Sequence, residues 1–197
     1  MCFRLCVLSQ TEILLAFIFI FNLFFGHSLI LRRESFSLEE YPKFLSQPIE
    51  FEHSSAIFGP DPGTHNLNGI PLLAKPYPRA CKKLNAVPPG TILIAGRGNC
   101  NFYDKARFAQ EAGAIGLVVG NNQQSEAALV RMDWADDDHA HLPEITIPCV
   151  FVMKRSFQQL KRAVNTALRL GVGLNLTIQG PSWYDQGYQP KDAKEDG

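Results

Sequence analysis

Residues 93–121, LIAGRGNCNFYDKARFAQEAGAIGLVVGN, set an apolar run, a turn with two glycines, a helical pattern and a second apolar run in direct succession. This order constrains the fold more than any other feature. Thr91 to Ala95 is rich in β-branched residues and reads as a buried strand. Asn101 stands where a helix N-cap is needed, with Asp104 bringing a carboxylate to the positive helix end. Phe102, Ala106 and Ala109 share one face, small enough for close packing on a sheet, and Gly113 is placed to close the helix in a left-handed conformation. AIGLVV then forms the next buried strand.

Two glycines between a strand and a helix also raise the question of a phosphate cradle. A dinucleotide fingerprint needs a third glycine where this chain has Asn101, and no GxxxxGK[ST] loop occurs. The turn therefore reads as structural. The chain as a whole carries 19 Lys and Arg against 19 Asp and Glu, so there is no basic surplus for nucleic acid.

Further elements follow from pattern. Residues 49–59 alternate as a half-buried strand that ends at the Gly59-Pro60 turn. Residues 59–90 carry GPDPG, NGIP, KPYPR and VPPG, punctuation that predicts a long irregular stretch in need of anchoring. ITIPCVFV is a strand in which Pro148 marks an edge or a start. Ser156 and Gln159 form a capping box for a second helix, whose apolar stripe is Phe157, Leu160, Val164, Ala167 and Leu168 and whose outward face carries Lys161, Arg162, Asn165 and Arg169. Gly171 ends it, and VGLNLTI makes a last strand with Val172, Leu174, Leu176 and Ile178 inward. The sum is one mixed α/β domain.

The N-terminus belongs to a different class. Arg4 precedes the apolar run Ile13 to Phe25, 13 residues long, and crossing a bilayer as a helix takes roughly 20. Gly26 and Ser28 give the small-residue pattern of a secretory cleavage site, so the cut is expected after Ser28. The expected organisation is a signal peptide over 1–28, an N-terminal arm over 29–48, the domain over 49–179 and a polar tail over 180–197 in which Trp183 and Tyr184 would dock first. The product is expected to be secreted or lumenal, with no membrane attachment after signal cleavage.

Cysteine usage fits that compartment. Beyond the signal segment the chain keeps Cys81, Cys100 and Cys149, an odd number. Cys81 and Cys100 lie in polar, loop-like settings and are expected to pair, stabilising by on the order of 3 kcal/mol through chain entropy. Cys149 lies within an apolar run and reads as a small buried hydrophobe. The sequon Asn175 to Thr177 predicts a glycan on an outward-facing Asn175.

Catalytic patterns do not emerge. The run Asp136 to His141 could gather carboxylates and imidazoles, but it lacks EF-hand spacing and is expected to be a solvated acidic loop. There is no G-x-S-x-G, no H-E-x-x-H and no base local to Cys149. No catalytic residue, metal or cofactor is expected.

Several ordered features resemble the protease-associated (PA) domain: an apolar strand, R-G-x-C-x-F at Arg97 to Phe102, K-A-x-x-A-Q-x-A-G-A at Lys105 to Ala114, a strand ending in Asn121, and I-P-x-V-F at Ile147 to Phe151. The similarity spans roughly residues 50–178. It implies a swivelling β/β/α fold with a mixed sheet or open barrel and two main helices. It also implies that Arg97, Gly98, Cys100, Phe102, Lys105, Ala106, Ala109, Gly113, Ala114, Asn121, Ile147, Pro148 and Val150 are scaffold positions, and that Cys81 bonds the R-G-x-C cysteine. PA domains are non-catalytic inserts or appendages of proteases, sorting receptors, ubiquitin ligases and mannosidases. The resemblance thus implies a secreted or lumenal module that binds a protein or peptide partner, here through the loops of residues 59–90 and 121–144. The alternative is the N-terminal part of a larger enzyme, vacuolar sorting receptor or membrane RING ubiquitin ligase.

Overall fold

The structure, a computed structural model, describes residues 28–33, 48–62, 66–123, 129–134, 140–179 and 192–193. The signal segment before Ser28, the acidic run from Asp136 to His139, and Trp183 and Tyr184 lie outside the described residues.

The core is built on the unit that the sequence singled out. Strand β5 (Thr91–Gly96), helix α1 (Phe102–Glu111) and strand β6 (Gly116–Gly120) run in succession, with β5 and β6 paired in parallel. Strand β8 (Cys149–Val152) continues the parallel set beside β6, and helix α2 (Lys154–Leu170) leads from it to strand β9 (Leu174–Gln179). The central strands are buried at every position, and apolar at all but Thr91, because both sheet faces are covered. Leu93, Ala95, Leu117, Val119, Cys149 and Phe151 pack with Phe102, Ala106 and Ala109 of α1. Ile92, Ile94, Val118, Val150 and Val152 pack instead with Phe157, Leu160, Ala163, Val164 and Ala167 of α2.

The remaining strands extend and curl this sheet. They are β1 (Ser28–Arg33), β2 (Ile49–Phe51), β3 (His53–Ser55) and β4 (Leu67–Leu73), and the order is β2-β1-β9-β4-β5-β6-β8-β3. Its two outermost strands, β2 and β3, are separated by Glu52 alone. Two residues of chain span about 7 Å at most, so the two ends of the order are brought near each other and the mixed sheet curls round the second core. A short parallel pair, β7 (Arg131–Met132) with β10 (Asp192–Ala193), lies outside the main sheet.

Three expectations need correction, and the segment at 28–33 gains a strand. The irregular stretch 59–90 contains β4, a strand flanked by β9 and β5, despite Gly69 and Pro71. The amides of Ile70 and Ala74 donate to the Gly90 and Ile94 carbonyls of the β5 side, so Pro71 has its nitrogen turned to the opposite side. There β9 pairs only with Leu67 to Gly69, and the proline therefore costs no ladder hydrogen bond. The strand expected over 49–59 is split at Glu52, since β2 pairs with β1 while β3 pairs with β8. Residues 28–33, read as signal end and arm, pair with all of β9. Helix α2 starts two residues before Ser156, with Met153 as N-cap and no side-chain cap, so the capping box is not formed; Leu168 is 56% exposed and Ala163 takes its place in the stripe.

Other local readings hold. The Asn101 side chain accepts from the Asp104 amide at 2.7 Å, Pro148 immediately precedes β8, and Gly171 closes α2 at φ +65°. Gly120 is required by contact rather than by conformation. A Cβ there would fall 1.9 Å from Cγ of Phe157, the first large apolar residue of α2. Gly120→Ala is therefore expected to destabilise by about 1–3 kcal/mol, as overpacked cores do, with partial recovery when Phe157→Leu is added. Urea unfolding of the single and double variants measures both.

Candidate functional site

The turn between β5 and α1 is organised around a buried cation. Lys105, on the inner face of α1, has no exposed surface. Its Nζ donates to the Gly98 carbonyl at 2.6 Å and the Arg79 carbonyl at 3.0 Å, and lies 3.3 Å from the sulfurs of both Cys81 and Cys100. Those cysteines are disulfide-bonded across a separation of 19 residues. The GRGNC turn therefore directs carbonyl oxygen at an ammonium, the reverse of a loop that offers N–H groups to phosphate. The Asp104 amide, which an anion at the helix start would need, is already held by Asn101.

This arrangement fixes the rim of a groove of about 660 Å³ at the carboxyl ends of three parallel neighbours, β4, β5 and β6. Such ends are where open α/β sheets bind ligands. One wall is the segment after β4, with Lys75, Tyr77, Arg79 and Lys82; the other is α2, with Phe157, Lys161 and Asn165. Asn99, Asn122 and Arg97 close the end nearest the disulfide. Arg79 donates to the Asn99 side chain at 2.8 Å, and Asn122 donates to the Arg97 carbonyl at 2.9 Å. The Lys161 ammonium sits 4.4 Å from the Phe157 ring centre, and that of Lys82 5.5 Å from the Tyr77 ring centre. The guanidinium of Arg97, mostly buried, lies over Phe102 and Phe151 at 5.7 and 6.0 Å.

Sequence reasoning found half of this groove. The loop 59–90 supplies one wall, while of the described residues of the loop 121–144 only Asn122 lines the groove. Lys161 and Asn165 were read simply as outward-facing, although Phe157, Lys161 and Asn165 recur at four-residue intervals and so share a stripe. Lys105 was identified only as a scaffold position, without its role. Cys149 is buried with a free thiol, and burial pushes that thiol far above its ordinary range. It is not part of the groove. Asn175 is half-buried on β9, on the face opposite Leu174 and Leu176, and Thr177 donates to Asn68 at 2.6 Å. His141 is exposed, and the described residues hold no group of three or more potential metal ligands.

Residues 70–160 match the family profile of the PA domain, and the chain carries a PA domain. It is 30% identical to vacuolar-sorting receptor 3 of Arabidopsis thaliana over 163 residues, covering 76% of this chain and 24% of the receptor. It is 32% identical to the ER degradation-enhancing alpha-mannosidase-like protein 3 of Xenopus laevis, over 51% of this chain and 11% of that protein. The chain thus spans a quarter or less of these two relatives. A zinc aminopeptidase from Bacillus subtilis shares the fold at a TM-score of 0.50 and 15% identity, over 86% of this chain and 38% of the enzyme.

Lys105→Met is expected to cost about 2 kcal/mol, since a buried ammonium and the two part-buried carbonyls of Arg79 and Gly98 lose their hydrogen bonds. Removing the disulfide by Cys81→Ala with Cys100→Ala is expected to cost about 3 kcal/mol. The two changes act on the same turn, so the triple variant should lose less than their sum. A double-mutant cycle by chemical denaturation tests this; strict additivity would show that the lysine and the disulfide act separately.

Proposed function

We propose that this chain is a non-catalytic glycoprotein of the secretory pathway whose PA domain recognises a segment of another protein. The observation that carries the reading is the groove at the carboxyl ends of β4, β5 and β6, with one wall tied down by the Cys81–Cys100 disulfide and Lys105. Recognition sites on a rigid scaffold with a pre-formed rim are the usual use of such loops. The disulfide fits an oxidising compartment, and the names of the two relatives, a vacuolar-sorting receptor and an ER degradation-enhancing protein, point to the same route. The proposed mature chain begins at Leu29 after cleavage at Ser28 and carries a glycan on Asn175, whose face of β9 is turned from the core.

A second reading is that the domain serves a longer polypeptide, favoured by the small share of each relative that the chain spans. A transcript that continues past Gly197 into a catalytic or membrane-spanning part would establish it.

The first reading is tested in secreting cells with a photo-crosslinking residue at Tyr77. The expected result is a covalent adduct with another polypeptide, absent when the crosslinker stands at Arg155, an exposed α2 position outside the groove. Intact mass before and after enzymatic deglycosylation should give a chain starting at Leu29 with one N-linked glycan. Equal crosslinking from both positions, or from neither, would remove the groove from the proposal.

A further inference from the structure

We infer that the ligand of the groove is acidic: an extended polypeptide segment bearing carboxylates, whose counter-charges are Lys75, Arg79, Lys82 and Lys161. This rests on the protein-recognition reading above and specifies the chemistry of what is recognised.

Charge segregation carries the argument. The chain holds equal numbers of cationic and acidic residues, 19 of each, yet among the described residues those lining the groove include five cations, with buried Arg97 the fifth, and no Asp or Glu. The cations converge from three separate parts of the chain: the segment after β4, the end of β5 and the middle of α2. A solvated basic face would arise from one helix or loop, and carboxylates would be interleaved with it. Here the ammonium groups of Lys82 and Lys161 are placed over aromatic rings. A cation held on a ring face keeps its charge available to a ligand. A concave site lined by one sign of charge also focuses its field on an incoming partner.

The floor decides between kinds of polyanion. Leu73, Ala74 and Ile94, with the ring of Phe157 from the α2 wall, make the apolar lining between the two charged walls. An extended peptide sends successive side chains to opposite sides and spaces carboxylates between apolar residues, so it can satisfy rim and floor together. A sulfated glycan would answer the rim and leave the apolar floor uncovered. The amides of Asn99 and Asn165 add polar groups suited to a peptide main chain.

The test uses the full secreted chain and a fluorescein-labelled nonapeptide, Gly-Leu-Glu-Val-Asp-Leu-Glu-Val-Gly, beside its twin with Gln for Glu and Asn for Asp. Fluorescence anisotropy should show the acidic peptide binding at least about tenfold more tightly than the amide twin. Raising NaCl from about 50 to about 300 mM, which shortens the screening length, should weaken it several-fold. Lys75→Glu with Lys161→Glu should abolish the preference, and the milder Lys75→Gln with Lys161→Gln should reduce it should the reversal impair folding. Arg155→Glu, outside the groove, should leave it unchanged. Equal binding of the two peptides overturns the acidic-ligand inference while leaving protein recognition in place. No binding of the acidic peptide, or its ready displacement by a heparin fragment or phosphatidylserine vesicles without the reverse, also overturns it. Loss of the Tyr77 crosslink described above would remove both readings.

Discussion

The Lys105 ammonium is the constraint on which the functional face of this protein depends. A buried charge is unfavourable by several kcal/mol unless surrounded by good acceptors, so the backbone near it is obliged to supply them. The Arg79 and Gly98 carbonyls do so from segments that are far apart in sequence, and the disulfide holds the same two segments from the other side. Helix α1, the GRGNC turn and the chain after β4 are thereby joined into one unit. Tyr77, Arg79 and Lys82, which would otherwise ride on a polar loop, are attached to the rigid sheet. A rim fixed before binding loses less conformational freedom on binding, which makes a shallow groove usable for recognition.

The curl of the sheet has a different origin. Its order ends in β2 and β3, joined through Glu52, so the chain passes from one end of the order to the other within a single residue. Strand β4 is the hinge of the arrangement because it changes partner along its length. Leu67 to Gly69 pair with β9, while Ile70 to Leu73 pair with β5. Where β9 leaves it, β4 has a side open to other packing, and it is the end of β4, at Leu73, that meets the groove. The partner switch that lets Pro71 sit in a flanked strand therefore also helps to make room for the site.

What could be read in the sequence follows the same physics. The strands at Thr91 and Gly116, the Asn101 cap, the two glycine helix ends and the cysteine pairing are set by local geometry and burial, and they were legible residue by residue. Strand β4 was hidden because NGIP looks like a turn unless one knows which side of Pro71 lacks a neighbour, a matter of long-range pairing. Strand β1 was hidden because Leu29 to Leu31 abut the charges Arg32 and Arg33 and a signal segment, and only pairing with β9 identifies them. The cap of α2 misled because Ser156 and Gln159 have the right spacing, while the burial of Phe157 against Gly120 sets where the helix begins to pack. The groove was half legible, since one wall is a loop of evident irregularity and the other is an outward helix stripe with no local sign of what it faces.

The difference between scaffold and site is clearest at Arg97 and Lys161. Arg97 belongs to the family pattern, is mostly buried, and spends its guanidinium on the faces of Phe102 and Phe151 while its backbone carbonyl holds Asn122. Its surroundings would be disturbed by almost any replacement, so it is tied to the fold as much as to the groove. Lys161 is held, among the described residues, by the ring of Phe157, and its ammonium is set at the groove wall by a contact that an anion does not have to break. Two cations that line the same groove thus differ in freedom to vary. A domain that keeps Arg97 and Lys105 while exchanging the residues at 75, 82 and 161 could preserve its shape and alter the charge of what it recognises, which is how one scaffold can serve many partners.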